Sequence, residues 1–208
     1  MALPNRLYIG VLVVITLLIL GYLGLKETPQ RQLQQKSESL LSSDQESKTT
    51  KDCDGKPTPS LTEGPYYKTG SPERTNLLDE TSVGTTLTVT GYVFDVNCQP
   101  IADAWLDFWQ ADGNGNYDNV GYKLRGHQYT DASGKYTLGT VVPGRYPGRT
   151  PHIHAKVQAS RTSPILTSQL FLPQEPQNQQ DAIFNQALVM AVQDTPKGKS
   201  ATFNFVIR

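Results

Sequence analysis

From Thr85 to the last residues of the chain, turn signals recur about every 8–12 residues, with short apolar or β-branched runs between them. Such spacing leaves no room for long helices and points to strands folded back on one another. Thr85–Phe94 (TTLTVTGYVF) alternates in polarity as a half-buried strand does. Asp95–Pro100 is a turn, and Ala104–Trp109 (AWLDFW) is apolar on both faces, as in a central strand. Lys135–Thr140, His152–Val157, Leu166–Leu172 and Thr202–Ile207 complete the strand candidates, separated by Asp131-Ala132-Ser133-Gly134, Pro143-Gly144 and similar breaks. Pro173–Ala187 is the one helical candidate. The 17 Gly and 14 Pro fit a turn-rich chain. The expected fold class is all-β, an antiparallel β-sandwich with few short helices, preceded by a single N-terminal membrane or signal helix.

That leading segment is read from Leu7–Leu25, where no charged residue occurs. At about 1.5 Å rise per residue it nearly spans a hydrocarbon core of about 30 Å. Residues 1–25 are therefore expected to be a membrane anchor; a cleaved secretory signal is the alternative, with no good small-x-small site after Gly21. Either would export the remainder of the chain. Residues 26–52 balance their charges, are rich in Gln and Ser, and contain no aromatic residue. They read as a flexible polar linker, or as a solvated helix around Leu33, Leu40 and Leu41 with nothing to pack against. Residues 53–208 form the folded domain.

With 19 basic and 19 acidic residues, no excess charge exists to displace counterions from nucleic acid, so no nucleic-acid partner is expected. Two Cys exclude both a disulfide-dense scaffold and a four-Cys zinc site. No phosphate loop, GxSxG or HExxH occurs.

His152-Ile153-His154 is the strongest local chemical signal. Residues two apart on a strand face the same way, so the two imidazoles stand side by side as ready cis ligands for a metal. Asp107, Asp118 and Asp131 are available to complete a two-His-one-carboxylate shell. The other oxygen donors are tyrosines, among which Tyr146 stands out in the loop Pro143-Gly144-Arg145-Tyr146-Pro147-Gly148, where no core needs an aromatic ring, and Tyr117 follows a Gly/Asn loop. From the residues alone both shells remain open. The bland alternative is a pair of partly exposed strand histidines.

The ordered set Asp107–Asp112 (DFWQAD), Gly115-Asn116-Tyr117, Leu124-Arg125-Gly126, Thr130-Asp131, Gly134-Lys135-Tyr136, Pro143–Tyr146 and Arg149–His154 (RTPHIH) resembles the intradiol ring-cleavage dioxygenases. Gly64–Tyr67 (GPYY) and Thr167–Phe171 (TSQLF) resemble that family's flanking motifs. The resemblance implies one mononuclear non-haem Fe(III) ion held by Tyr117, Tyr146, His152 and His154, with Tyr146 the ligand that is released on substrate binding. It implies that Arg149 stabilises negative charge on the substrate ring, that Gln169 supports Arg149, and that Tyr66 lines the pocket. The implied reaction cleaves a catechol-type diol with O2 to a cis,cis-muconate-type diacid. The third histidine, His127, has no ligand counterpart and reads as structural.

Two features depart from the cytosolic members. The N-terminal segment replaces a helical dimerisation domain, and the insert between Tyr117 and Leu124 is short, which implies an open cavity. The chain looks like the minimal exported members, membrane-anchored or secreted, and in an oxidising compartment Cys53 and Cys98 are expected to pair. The sequence sets no oligomeric state. The alternative of another class is a transthyretin-like or carboxypeptidase-regulatory-like sandwich module without catalysis, which shares the sheet pattern but has no use for the HxH pair, Tyr146 or Arg149.

Overall fold

The structure, a computed structural model, describes residues 30–37 and 53–208. The segment 1–25 and most of the linker 26–52 lie outside the described residues. Residues 30–37 form a short helix with every residue exposed, Leu33 included. Among the described residues no helix is long and apolar enough to cross a membrane.

Two sheets are built from β1 (Thr86–Asp95), β2 (Trp105–Gln110), β3 (Arg125–Tyr129), β4 (Lys135–Val141), β5 (His152–Gln158), β6 (Leu166–Phe171), β7 (Ala191–Thr195), β8 (Gly198–Thr202) and β9 (Phe205–Ile207). One sheet runs β4-β1-β8-β7, with β9 also on β1; the other runs β3-β2-β5-β6. Leu87, Val89 and Val93 of β1 and Leu138 of β4 meet Leu106, Phe108, Ile153, Ala155, Val157 and Leu170 of the second sheet in one buried core. Each of these side chains larger than Ala contributes about 1.5–3 kcal/mol on leaving water. The expected sandwich is therefore present, but it is not antiparallel throughout: β8 and β9 both run parallel to β1. β7 pairs antiparallel with β8 and forms the edge of that sheet.

The single strand expected over Thr202–Ile207 is broken at Phe203–Asn204. There the chain crosses Gly91, where any Cβ would overlap the Phe203 carbonyl. Tyr136 Oη and the Tyr92 amide donate to the crossing, at the Phe203 carbonyl and Asn204 Oδ1. The helix expected over Pro173–Ala187 is also absent. Pro173 and Pro176 remove helix donors, and the segment forms successive turns ending in a 3-10 helix at Gln186–Leu188. Asn178, rather than pointing to solvent, donates to the Leu172 carbonyl and accepts from Thr150 Oγ1, which ties these turns to the start of β5.

Because β5 spends Ile153, Ala155 and Val157 on the core, His152, His154 and Lys156 must face the outer side of the second sheet. Strand register then sets Arg125, Trp109, His154 and Gln169 in one row across that face, and His127, Asp107, Lys156 and Thr167 in the next.

Cys53 and Cys98 are joined, with Cα atoms 5.7 Å apart, so the first residues of the domain are fixed to the turn after β1. The bond closes a loop with a sequence separation of 45. Replacing both cysteines by Ser is expected to lower unfolding free energy by about 2–4 kcal/mol, read from denaturant titration. A change below about 1 kcal/mol would show that the crosslink does not restrict the unfolded chain.

Candidate metal centre

His152 and His154 are 2% and 1% exposed, and their Nε2 atoms lie 3.1 Å apart. His152 Nδ1 is 2.7 Å from the Thr150 carbonyl, which can only accept. Nδ1 therefore carries the proton and Nε2 presents a bare lone pair. His154 is held by stacking on Trp109, with ring centres 4.7 Å apart and planes within 9°. Its other side is closed by Gly64, where an added Cβ would sit 3.3 Å from Cε1.

The two tyrosines reach this pair from loops. Tyr146 Oη lies 3.3 Å from His152 Nε2. Tyr117 Oη is buried with no hydrogen-bond partner, and its ring is 5.7 Å from that of Tyr146 and 6.3 Å from that of His154. The loops are held against each other backbone to backbone. Gly144 N–H donates to the Asp112 carbonyl at 2.7 Å, and a Cβ on Gly144 would overlap the Gly113 carbonyl. Gly115, at φ +86°, leaves no space for a Cβ beside the Arg145 carbonyl. Arg125, buried in the row beside Trp109, donates to the carbonyls of Asp118 and Tyr66. That guanidinium fixes the chain after Tyr117 and places Tyr66, which stacks on Tyr117 at 4.3 Å.

Arg149 is gripped on three sides. Its Nη1 donates to Tyr146 Oη at 3.3 Å, Nη2 to Gln169 Oε1 at 2.5 Å, and Nε to Asp181 Oδ2 at 2.9 Å. Gln169 is itself oriented by donating to the Thr62 carbonyl. Burial alone would raise the Asp181 carboxyl, but the bond from Arg149, with the Ile183 and Thr150 amides, holds it below the usual carboxylate range.

The carboxylates left open by the sequence are engaged elsewhere. Asp107 accepts from Ser71 Oγ and Tyr67 Oη. Asp118 accepts from the amides of Val120, Gly121 and Lys123, and the Lys123 and Gly121 bonds lead in lowering its pKa to about 2. Asp131 caps the turn into β4. Among the described residues no three of His, Cys, Asp and Glu gather as a metal shell. His127 contacts the Ser71 carbonyl and hydroxyl and lies among Trp105 and Tyr129, as a structural residue would.

The two imidazole nitrogens and the Tyr146 oxygen thus lie together with the Tyr117 ring beside them, and the electrostatics of these groups fit a strongly acidic cation. Burial, and secondarily the Arg149 charge, lower His152 to about 4. Burial and the neighbouring His152 also hold His154 well below the usual imidazole range. Both rings are neutral and able to bind metal across the physiological range. Burial, reinforced by Tyr146, raises Tyr117, and burial raises Tyr146. Only a strong Lewis acid makes such phenols into phenolates near neutral pH. A partnerless buried hydroxyl, as on Tyr117, is what a ligand without its ion looks like.

The buried imidazoles make the metal-free protein sensitive to pH. A histidine whose folded pKa lies below its unfolded value binds fewer protons folded than unfolded, so its stabilisation is present above about 6.5 and lost as pH falls through the folded value. The melting temperature of metal-free protein is expected to fall between about pH 6.5 and 4, before the low-pKa carboxylates titrate. A profile flat over that window would contradict buried, neutral imidazoles.

A family profile described as Dioxygenase matches residues 62–208. Catechol 1,2-dioxygenase 2 of Acinetobacter lwoffii is 34% identical over 128 residues, covering 49% of this chain and 46% of its own. The chain spans about half the length of the curated relatives it matches. The dioxygenase domain of a dioxygenase carbohydrate-binding protein fusion from Streptomyces sp. SirexAA-E is 51% identical, with TM-score 0.71, covering 73% of this chain and 98% of that one. An intradiol ring-cleavage dioxygenase from Tetranychus urticae is 26% identical, with TM-score 0.67, covering 74% and 94%.

Proposed function

This chain belongs to the intradiol ring-cleavage dioxygenase family, and from that premise we propose that it inserts both atoms of O2 into a catechol-type diol, opening the ring between the hydroxyl-bearing carbons to give a cis,cis-muconate-type diacid. The observation that carries the reading is the convergence of His152 Nε2, His154 Nε2 and Tyr146 Oη beside the partnerless Tyr117 Oη, with Arg149 on Tyr146.

Tyr117, Tyr146, His152 and His154 would hold one ferric ion. Bound there, the ion would acidify the diol and draw electron density from it, making a ring carbon reactive towards dioxygen. The residues' own work is distinct. Tyr146 stands on the loop side of the His pair, where its phenolate oxygen would take one proton from an incoming diol as a general base, the second proton passing to hydroxide or solvent. With Tyr146 protonated, Tyr117 and a catechol dianion would together carry three negative charges, matching a trivalent ion in a buried site. Arg149 donates N–H groups towards negative charge that grows on the ring, and Tyr66 forms a wall against which the ring packs.

The disulfide at the start of the domain and the uncharged run Leu7–Leu25 support an exported location, anchored to a membrane or secreted.

Incubating the iron-loaded protein with catechol in air tests the activity. Equimolar consumption of O2 and catechol, with muconate absorbance appearing in step, is the expected result. A yellow semialdehyde, or no uptake of O2 by protein with full iron, would refute it.

A further inference from the structure

Asp181 stands 32 residues from Arg149 in sequence, on the turns that take the place of the expected helix, and no motif marks it. Its side chain is 2% exposed. Oδ2 accepts from Arg149 Nε at 2.9 Å and from the Thr150 amide at 3.0 Å, while Oδ1 accepts from the Ile183 amide at 3.1 Å. Asp181 thus holds both the Arg149 guanidinium and the backbone leading into His152.

A guanidinium carries five N–H donors in a planar fork. Asp181, Tyr146 and Gln169 take three of them, one on each nitrogen, which leaves one on Nη1 and one on Nη2 for a ligand. A cation bonded to Tyr146 would be repelled by any metal bound there, so its place depends on a fixed counter-charge on the far side. A cavity of about 220 Å³, lined by Gly148, Arg149, Thr150, Gln177, Gln180 and Asp181, gives the guanidinium room to move once that anchor is gone.

We propose that Asp181 is a positioning residue for the reaction: it holds Arg149 so that its two remaining N–H groups face the substrate, and it affects turnover only through Arg149. The inference rests on the reading of Arg149 as the group that stabilises charge on the ring.

A double-mutant cycle on full-length protein tests it, using Asp181→Asn, Arg149→Ala and the pair. Asn keeps the shape but has one acceptor oxygen, so it loses the charge and one of the two backbone-amide bonds, a loss common to both backgrounds of the cycle. Alone, Asp181→Asn is expected to lower kcat for catechol by about 10–100-fold, with KM changed less than about threefold. In the Arg149→Ala background the same change is expected to alter kcat less than about twofold. Two readouts need no turnover. The catechol affinity measured without O2, from the visible band, and the melting temperature of metal-free protein are both expected to be non-additive across the cycle. If Asp181→Asn does not fold, Asp181→Ser takes its place in the cycle. An equal loss of kcat in both backgrounds, or full activity of the folded single variant, would overturn the inference while leaving the site reading intact. A wild type that does not cleave catechol, or an Arg149→Ala variant with wild-type turnover, would overturn that reading and this inference with it.

Discussion

Arg149→Ala is expected to lower kcat for catechol, measured per bound iron, by about 10²–10³-fold. The magnitude is that of removing a fixed donor aimed at developing charge. Arg149 touches Tyr146 Oη, Gln169 and Asp181 but is not itself one of the proposed iron ligands, so counting turnover per bound iron isolates its own contribution. Because its contacts orient it before any substrate arrives, it costs no reorganisation when charge appears. Lys at this position keeps a positive charge but loses the planar fork that engages three acceptors at once, so Arg149→Lys is expected to recover little. A variant that raised KM with kcat unchanged would assign Arg149 to binding alone.

Tyr117→Phe is expected to have opposite effects on the metal-free and metal-loaded protein. Without metal, the Tyr117 hydroxyl is buried and unpaired, a state that costs about 1–3 kcal/mol. Its removal is expected to leave metal-free stability unchanged or raised by about 1 kcal/mol. Iron affinity, by contrast, is expected to fall by more than the roughly 10–100-fold associated with losing an outer partner of a ligand, and the phenolate-to-iron band should shift and weaken. Chelator competition and thermal melting of the same variant separate the two effects. Lower metal-free stability together with unaltered iron retention would show that the hydroxyl is structural. A plain sandwich module, the alternative allowed by the strand pattern, has no reason to keep such a hydroxyl.

The strands legible in the sequence are those whose alternation is set by the core. Leu87, Val89 and Val93 on β1, and Ile153, Ala155 and Val157 on β5, are apolar because the opposite sheet covers them. β3 is not legible. Its RGHQY sequence is mostly polar, and it becomes a strand because Gly126 lets Arg74 and Leu77 lie against it while the Arg74 amide bonds the His127 carbonyl. The β7–β8 hairpin escapes sequence reasoning for a related reason: β7 is an exposed edge strand, and GKSAT of β8 is mostly polar with only Ala201 buried. The helical reading of Pro173–Ala187 fails because Asn178 and Asp181 bond Thr150, on the approach to β5, rather than solvent.

The site divides along the same line. The HxH pair is local, so strand geometry alone places both rings on one face. The tyrosines come from loops whose contact depends on Gly113, Gly115 and Gly144, and only the family resemblance distinguishes them from the carboxylates. Arg125 and Asp181 carry no role in the sequence because their partners, Tyr66 and Arg149, are far away along the chain. A buried guanidinium or carboxylate of this kind is defined by three-dimensional pairing, which no spacing rule carries.

Elemental analysis of the purified full-length protein, joined to its visible spectrum, tests the ligand assignment most directly. Iron equimolar with the chain and a broad visible absorption from phenolate-to-ferric charge transfer are the expected results. Well-folded protein that retains no transition metal after reconstitution, or holds stoichiometric iron without that absorption, would contradict a ferric ion bound by Tyr117, Tyr146, His152 and His154.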